Sequence, residues 1–335
     1  SWAMLNETMR YLITGGSGFI GSHLAEVLLQ RGDSVVVLDN FSTGTHENIA
    51  GLERNDRFRL VYGSVTDKAL VAECVRDIDR VFHLASAVGV KLIIEKPIET
   101  IETIVEGASV VLGACARYRL PVLMTSTSEV YGKSTQLPFS EDSDSIIGPP
   151  TFRRWAYASA KALDEFLALA YWHQMKLPVI LVRLFNTVGP RQTGQYGMVI
   201  PRLIQQALAG QPLTVYGDGE QSRCFCHVAD AVGALISLMN QSDCSGELYN
   251  IGSTEVVTIN RLAEVILEET RSSSAVQHVP YQEAYGEGFE DMRQRVPSID
   301  KVHHRIGFKP QRDLKMIIQD IVAYQRALGL PGATT

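Results

Sequence analysis

The chain has 335 residues, 45% of them hydrophobic, and a formal net charge of −6. That length supports a large core, arranged as one big domain or two lobes. The mild acidity argues against nucleic acid or an anionic membrane surface as partner, and no apolar run approaches the ~20 residues of a membrane span.

Residues 10–14 read as a short apolar strand. The turn Thr14-Gly15-Gly16-Ser17-Gly18-Phe19-Ile20-Gly21 follows, then a helix over 20–31 with Ile20, Leu24, Val27 and Leu28 apolar. Further strands are expected at 34–39, 59–62, 80–84, 121–125 and 177–183, with helical patterns at 67–77, 97–118 and 156–175. Strands that are apolar throughout and alternate with helices predict an α/β fold, a doubly wound parallel sheet of Rossmann type covered on both faces. After residue 183 the pattern changes to loops rich in Gly, Pro and Arg, with short helices near 198–209, 228–240 and 258–270. This is read as a smaller α/β substrate lobe closing over the sheet's carboxyl edge, where open parallel sheets bind ligands. Residues 247–251 read as a strand returning to the sheet. The expected division is therefore 9–183 with about 224–252 for the dinucleotide-binding domain, and 184–223 with 253–330 for the lobe. The irregular stretch 132–154 is expected to line the pocket.

Five cysteines, odd in number and scattered, point to a reduced cytoplasmic protein. Cys224-x-Cys226 beside His227 lacks a second ligand pair at zinc-like spacing, so no metal is expected. The opening Ser1-Trp2-Ala3-Met4 lacks the charged-then-apolar pattern of a secretion signal.

Gly15, Gly18 and Gly21 are spaced G-x-x-G-x-x-G between a strand and a helix, which lets backbone approach a pyrophosphate at a helix N-terminus. Asp39 lies eighteen residues beyond Gly21, at the end of the second strand. A carboxylate there accepts hydrogen bonds from ribose hydroxyls and repels a 2′-phosphate, favouring NAD over NADP. Tyr157 and Lys161 stand four residues apart on one helix face. An ammonium beside a phenol favours the phenolate, whose pKa is otherwise near ~10. Such a phenol can take a proton from a sugar hydroxyl while the adjoining carbon gives hydride to a nicotinamide.

With these motifs, Leu84-Ala85-Ser86-Ala87, residues 125–132, residues 183–191 and residues 213–223, the chain resembles the extended short-chain dehydrogenase/reductase family. These are the sugar-nucleotide epimerases, dehydratases and decarboxylases. The resemblance runs from about Tyr11 to about Pro310. It implies NAD held through turnover, a UDP-sugar as substrate, and a homodimer formed by two long helices from each subunit. Residue by residue, Thr127 matches the hydroxyl that binds the sugar O4, Tyr157 the general base, and Lys161 the residue that tunes it and holds the nicotinamide ribose. The cofactor set further takes in Phe19, Ile20, Asn40, Ser64, Val65, Leu84, Ala85 and Ala87. Asn186 matches a diphosphate-contacting asparagine and Arg223 a phosphate-binding arginine. The strand 213–216, with Thr214 and Tyr216, matches the one against which the base packs, and Arg191 and Val199 complete the substrate set. Two positions depart from the family pattern: Ser64 stands where Asp is customary, and Ile104 where Asn is.

All members begin by oxidising C4, so the product depends on other groups. Ser126-Thr127-Ser128-Glu129-Val130-Tyr131-Gly132 is similar to the uronic acid decarboxylases' motif. Residues 148–157 and 285–300 are similar to the decarboxylase domain of the bifunctional enzyme that makes 4-amino-arabinose for lipid A. Arg295 matches the arginine implicated there in carboxylate binding and proton transfer, and a guanidinium suits a carboxylate as a bidentate partner. Ser128 and Glu129 would then sit near C5 and C6, with Glu129 as candidate acid or base. UDP-glucuronate decarboxylation is favoured over 4-epimerisation of a UDP-hexose or UDP-hexuronate. A 4,6-dehydratase and a non-catalytic NAD-binding regulator stand behind both.

Overall fold

The structure is a computed structural model that describes residues 7–85, 90–193, 198–285 and 292–329. Seven strands form the central sheet: β1 (Arg10–Thr14), β2 (Ser34–Asp39), β3 (Phe58–Tyr62), β4 (Arg80–His83), β5 (Val122–Thr127), β6 (Val179–Leu184) and β7 (Glu247–Ile251). Their order is β7-β6-β5-β4-β1-β2-β3 and every pairing is parallel.

Successive side chains along a strand point to opposite faces. Tyr11, Ile13, Val35, Val37, Phe82, Leu123, Ile180 and Val182 therefore share one apolar cluster. Leu12, Leu38, Val81, Val122, Met124 and Leu181 share the other. Helix α1 (Phe19–Gln30) covers the first face through Leu24, Ala25 and Leu28. The second is covered by α2 (Lys68–Cys74), α4 (Pro97–Tyr118) and α5 (Trp155–Met175), with the short α3 (Val90–Glu95) packed on α4 and α5. Ala108, Val111, Leu112 and Ala168 reach its core.

Beyond β6 the chain forms α6 (Val199–Leu208), α7 (Val228–Met239) and α8 (Ile259–Thr270). Of these, α7 joins α1 on the sheet through Ala231, Val232 and Leu235. In contrast, α6, α8 and α11 (Leu314–Ala327), which follows the short α9 (Tyr281–Tyr285) and α10 (Asp300–Ile306), enclose a third apolar cluster. Leu213–Tyr216 pairs in parallel with Val276–Val279 at its edge.

The differences from the expected elements are local. β5 runs on to Thr127 because its pairing with β6 continues through Ser126↔Arg183 and Thr127↔Leu184. β2 and β3 are joined by two 3-10 turns, His46–Asn48 and Ala50–Leu52, where a doubly wound fold has a helix. Cys224 and Cys226 fall on two short strands that pair with different partners, not on one run. The helix α11 was not foreseen, although Ile317, Ile318, Ile321 and Val322 recur at helical spacing. No helix among the described residues is long and apolar enough to cross a membrane.

Candidate active site

Strand order reverses direction between β1 and β4, so the loops leaving their carboxyl ends diverge and open a crevice. A cleft of about 780 Å³ occupies it and runs on to α6 and Tyr216. Its floor starts at the turn after β1. Gly15 has φ +73°, and a Cβ there would lie 2.9 Å from the Ala85 backbone, just beyond β4. A Cβ at Gly21 would lie 2.3 Å from the Gly15 carbonyl oxygen. Glycine at both positions lets the turn nest against β4 and α1 begin directly under it. Gly18 is the N-cap of α1 and brings no side chain to its first-turn N–H groups, which suits an anion.

Asp39 fixes the rim of this half. One carboxylate oxygen accepts the Ser17 N–H at 3.0 Å and the other the Phe41 N–H at 2.8 Å, leaving lone pairs on both for a diol. Phe19, Ile20, Asn40, Ser64, Val65, Leu84 and Ala85 line the same region. A turn this close to β4, a bare helix N-terminus and a buried carboxylate together fit a dinucleotide. Ser64 turns inward: its Oγ lies 2.8 Å from Thr66 Oγ1 and accepts the Thr66 N–H at 3.2 Å. Ala87, counted with this set from the sequence, lies outside the described residues.

At the centre, Tyr157, Ala158, Lys161, Asp164, Glu165 and Ala168 form the buried stripe of α5. Lys161 donates from Nζ to the Thr125 carbonyl oxygen at 2.8 Å. Burial pushes its ammonium below the ordinary lysine range, against the pull of Asp164 and Glu165. Ile104, at the position that departs from the family's Asn, packs with Ile93, Tyr157 and Ala160. His83, one strand away, contacts Thr14 Oγ1 through Nδ1 at 2.7 Å, and burial, with Lys161 nearby, pushes it to about 3. It is neutral at working pH. Asp164 is raised to about 7 by burial, which outweighs Lys161, and its Oδ1 has no partner among the described residues.

The far wall begins where β5 ends. Thr127 caps the 3-10 turn Ser128–Tyr131, its Oγ1 accepting the Glu129 N–H at 3.2 Å. Tyr131 anchors that turn by stacking on Phe139 at 4.8 Å and donating to Asn250 Oδ1 at 2.5 Å. Glu129 is buried between two guanidiniums: Arg154 Nη2 lies 2.7 Å from Oε2, and Arg295 contacts Oε1. Burial alone would raise the carboxyl, but Arg295 and Arg154 outweigh it and hold Glu129 at about 2. Of the two roles expected for Glu129, this geometry opposes the acid, because the carboxylate has no proton to give near neutral pH.

Asn186 has φ 36° and lines the cleft, with no partner for its Nδ2 among the described residues. Arg223, buried, donates to the Ser222 carbonyl oxygen at 2.7 Å and lines the same wall with Val199 and Tyr216. Arg191 departs from the expected pattern: it reaches Glu26 of α1 at 2.7 Å, so it is held at the cofactor end. Thr214 lies off the cleft wall although it shares a strand face with Tyr216, its Oγ1 and N–H both engaged by Gln206 of α6. Every other described residue of the expected catalytic, cofactor and substrate sets lines the cleft.

Sequence reasoning missed two arginines on that wall. Arg202 of α6 stacks on the Tyr216 ring at 4.2 Å and donates to the Thr214 carbonyl oxygen at 2.9 Å. Its Nε and Nη1 have no partner among the described residues. The available signal was an arginine inside an otherwise apolar helix pattern, Val199-Ile200-Pro201-Arg202-Leu203-Ile204. Arg154 immediately precedes Trp155 and lies over its indole at 4.5 Å. No local spacing ties it to Glu129, 25 residues upstream.

A family model, GDP-mannose 4,6-dehydratase, matches residues 12–321. The chain is 44% identical to a UDP-N-acetyl-alpha-D-glucosaminuronate decarboxylase of Bacillus cytotoxicus, over 95% of this chain and 98% of that one. It is 37% identical to UDP-glucuronic acid decarboxylase 3 of Arabidopsis thaliana, over 92% and 86%. Among solved structures it is similar to the UDP-glucuronic acid 4-epimerase of Bacillus cereus in complex with UDP-glucuronic acid and NAD. That likeness has a TM-score of 0.86 at 28% identity and covers 96% of this chain and all of that one.

Proposed function

The chain belongs to the GDP-mannose 4,6-dehydratase family, within the extended short-chain dehydrogenase/reductases, and on that premise we propose that it is an NAD-dependent decarboxylase of UDP-glucuronate or its close analogues. The observation that carries the reading is Arg295, buried on the cleft wall and already engaged with the Glu129 carboxylate. Gly15, Gly18, Gly21 and Asp39 would hold NAD, which would supply the hydride acceptor for the sugar C4 and the donor for its return. Thr127 holds O4, Tyr157 accepts its proton, and Lys161 supports Tyr157 from the buried side of α5. A 4-keto sugar with a C6 carboxylate is a β-keto acid. Its C5–C6 bond breaks, carbon dioxide leaves, and the electron pair moves onto the C4 oxygen as an enolate that is then protonated at C5. Arg295 seats the carboxylate for that step, with Ser128 alongside. Arg202 and Arg223 would neutralise the diphosphate, Asn186 would donate a hydrogen bond to it, and Tyr216 would back the base.

Three coarser features belong to the same proposal. Ile98 and Ile101 of α4 and Leu163 and Phe166 of α5 are exposed, Phe166 at 76%, which supports a homodimer through these helices. Five free, buried cysteines support a cytoplasmic setting. The separate apolar cluster under α6, α8 and α11 supports a substrate lobe of 184–223 with 253–330, against a dinucleotide-binding domain of 9–183 with about 224–252.

The test is incubation of purified protein with UDP-glucuronate and, in parallel, with UDP-N-acetylglucosaminuronate. Release of carbon dioxide and a UDP-pentose, or its 4-keto precursor, is expected, and the better substrate reports what the site accepts at C2. Recovery of UDP-galacturonate alone would replace the decarboxylase with a 4-epimerase. That second reading is favoured by the likeness to the Bacillus cereus enzyme, whose substrate also carries a carboxylate.

A further inference from the structure

The two guanidiniums on Glu129 do not share an oxygen: Arg154 holds Oε2 and Arg295 holds Oε1. As whole residues all three are at least nine-tenths buried, at 3%, 6% and 8% exposure for Arg154, Arg295 and Glu129. They come from three separated segments that the fold binds together. Glu129 sits in the 3-10 turn after β5, Arg154 at the N-cap of α5, and Arg295 in the segment before α10. Phe139 ties the last two: its N–H donates to the Val296 carbonyl oxygen at 2.8 Å, and its carbonyl oxygen accepts the Ser298 N–H at 2.7 Å. Trp155 backs Arg154, whose guanidinium carbon lies 4.5 Å from the ring.

An arginine that seats a substrate carboxylate must first be free to leave the carboxylate it already holds. From this arrangement we propose that Arg154 is a positioning residue which keeps Glu129 ionised and in place while Arg295 is handed over to the substrate's C6 carboxylate. The inference rests on the decarboxylase reading for the identity of that carboxylate. With Arg154 on one oxygen, Glu129 retains a charge-assisted partner when Arg295 turns away, so no unpaired buried charge forms during the exchange. Its other oxygen then remains a place to which Arg295 returns once carbon dioxide has left. Without Arg154, Glu129 would have to keep Arg295 or take up a proton. The charged groups that face Glu129 are Arg154 from α5 and Arg295 from the 292–299 segment, and Tyr157 and Lys161 are the other titratable groups on that part of the wall.

The test compares Arg154→Met and Arg154→Lys with the parent enzyme, using UDP-glucuronate turnover from pH 5 to 9 and UDP-glucuronate affinity in a Tyr157→Phe background. Arg154→Met should lose roughly 30-fold or more in kcat/KM, the scale for truncating one partner of a buried charge pair. Its activity should also rise toward pH 5, as Glu129 begins to protonate and releases Arg295. Arg154→Lys should recover much of the activity and lessen that rise. Adding Glu129→Gln to Arg154→Met should cost little more, since both changes act through one pair. UDP-glucuronate affinity should weaken in Arg154→Met while UDP-glucose affinity holds.

A loss in Arg154→Met with no rise toward pH 5, fully additive with Glu129→Gln and equal for both ligands, would make Arg154 a brace for Trp155 and overturn the proposal. Unchanged activity would overturn it as well. If Arg154→Met does not fold, a loss in Arg154→Lys that eases toward pH 5 supports the proposal, and a loss that does not ease overturns it. The decarboxylase reading fails separately, through the parent enzyme releasing no carbon dioxide.

Discussion

Asp164 offers a stability test that is independent of the substrate. Its carboxyl is buried on the inner stripe of α5, one turn beyond Lys161, and is raised from 3.8 to about 7. That difference of roughly 3 units corresponds to ~4 kcal/mol at 1.36 kcal/mol per unit. The folded pKa lies above the unfolded one, so the unfolded chain releases this proton first. Between about pH 4 and 7 the folded state binds more protons, and stability falls as pH rises, levelling off above the folded value. Asn in the same place carries no such dependence. Asp164→Asn should therefore be more stable than the parent at pH 8, with the gap closing toward pH 5. Lys161 loses an attractive neighbour in the variant, which offsets part of the gain. Half of it, about 2 kcal/mol, still moves Tm by several degrees. Thermal unfolding followed by circular dichroism at pH 5, 6, 7 and 8 reads the difference directly. A variant destabilised equally at pH 5 and pH 8 would refute the account, because it would mean that the Asp164 carboxyl titrates alike in the folded and unfolded chain.

The remaining expectations concern the cofactor, the carboxylate and the dimer. Gly21→Ala puts a Cβ 2.3 Å from the Gly15 carbonyl oxygen, so the purified protein should carry little NAD by absorbance and mass spectrometry; normal loading would show that the turn shifts freely. Arg295→Ala should lower UDP-glucuronate turnover by at least about 30-fold while NAD content is kept, and equal loss of both would make Arg295 structural. Phe166→Asp places a charge on the exposed face of α5 and should shift the protein to a monomer in analytical ultracentrifugation, whereas an unchanged mass would remove that face from the proposal.

Much of the sheet was legible because its code is short-range. Apolar runs at 10–14, 34–39 and 247–251 match β1, β2 and β7, and the 97–118 pattern matches α4. The glycine turn, Asp39, and the Tyr157/Lys161 pair were legible for the same reason: each needs only a spacing within one turn or one helix. What was not legible depends on distant residues. Arg191 sits in a motif that suggests substrate, but its partner is Glu26, 165 residues away. Thr214 shares a strand face with the cleft-lining Tyr216, but its polar groups are taken by Gln206 of another element, α6. Arg154 and Arg202 looked ordinary because their partners lie on other segments.

That division also separates the two halves of the proposed reaction. Oxidation at C4 needs a phenol, a lysine and a nucleotide cradle, all set by local geometry along β1, β5 and α5. On the proposed reading the fate of the 4-keto sugar falls to the Arg154–Glu129–Arg295 cluster, and Phe139 binds the 132–154 stretch to the segment that carries Arg295. A sequence carrying the first set without the second would oxidise the same C4 and have no seat for a carboxylate. In this chain both sets open onto one cleft, with Thr127 and Ser128 as the two adjacent residues between them. Selectivity for a uronic acid is then a property of the loop that Phe139 pins, and loosening that tie should affect the carboxylate end of the site before it affects the cofactor end.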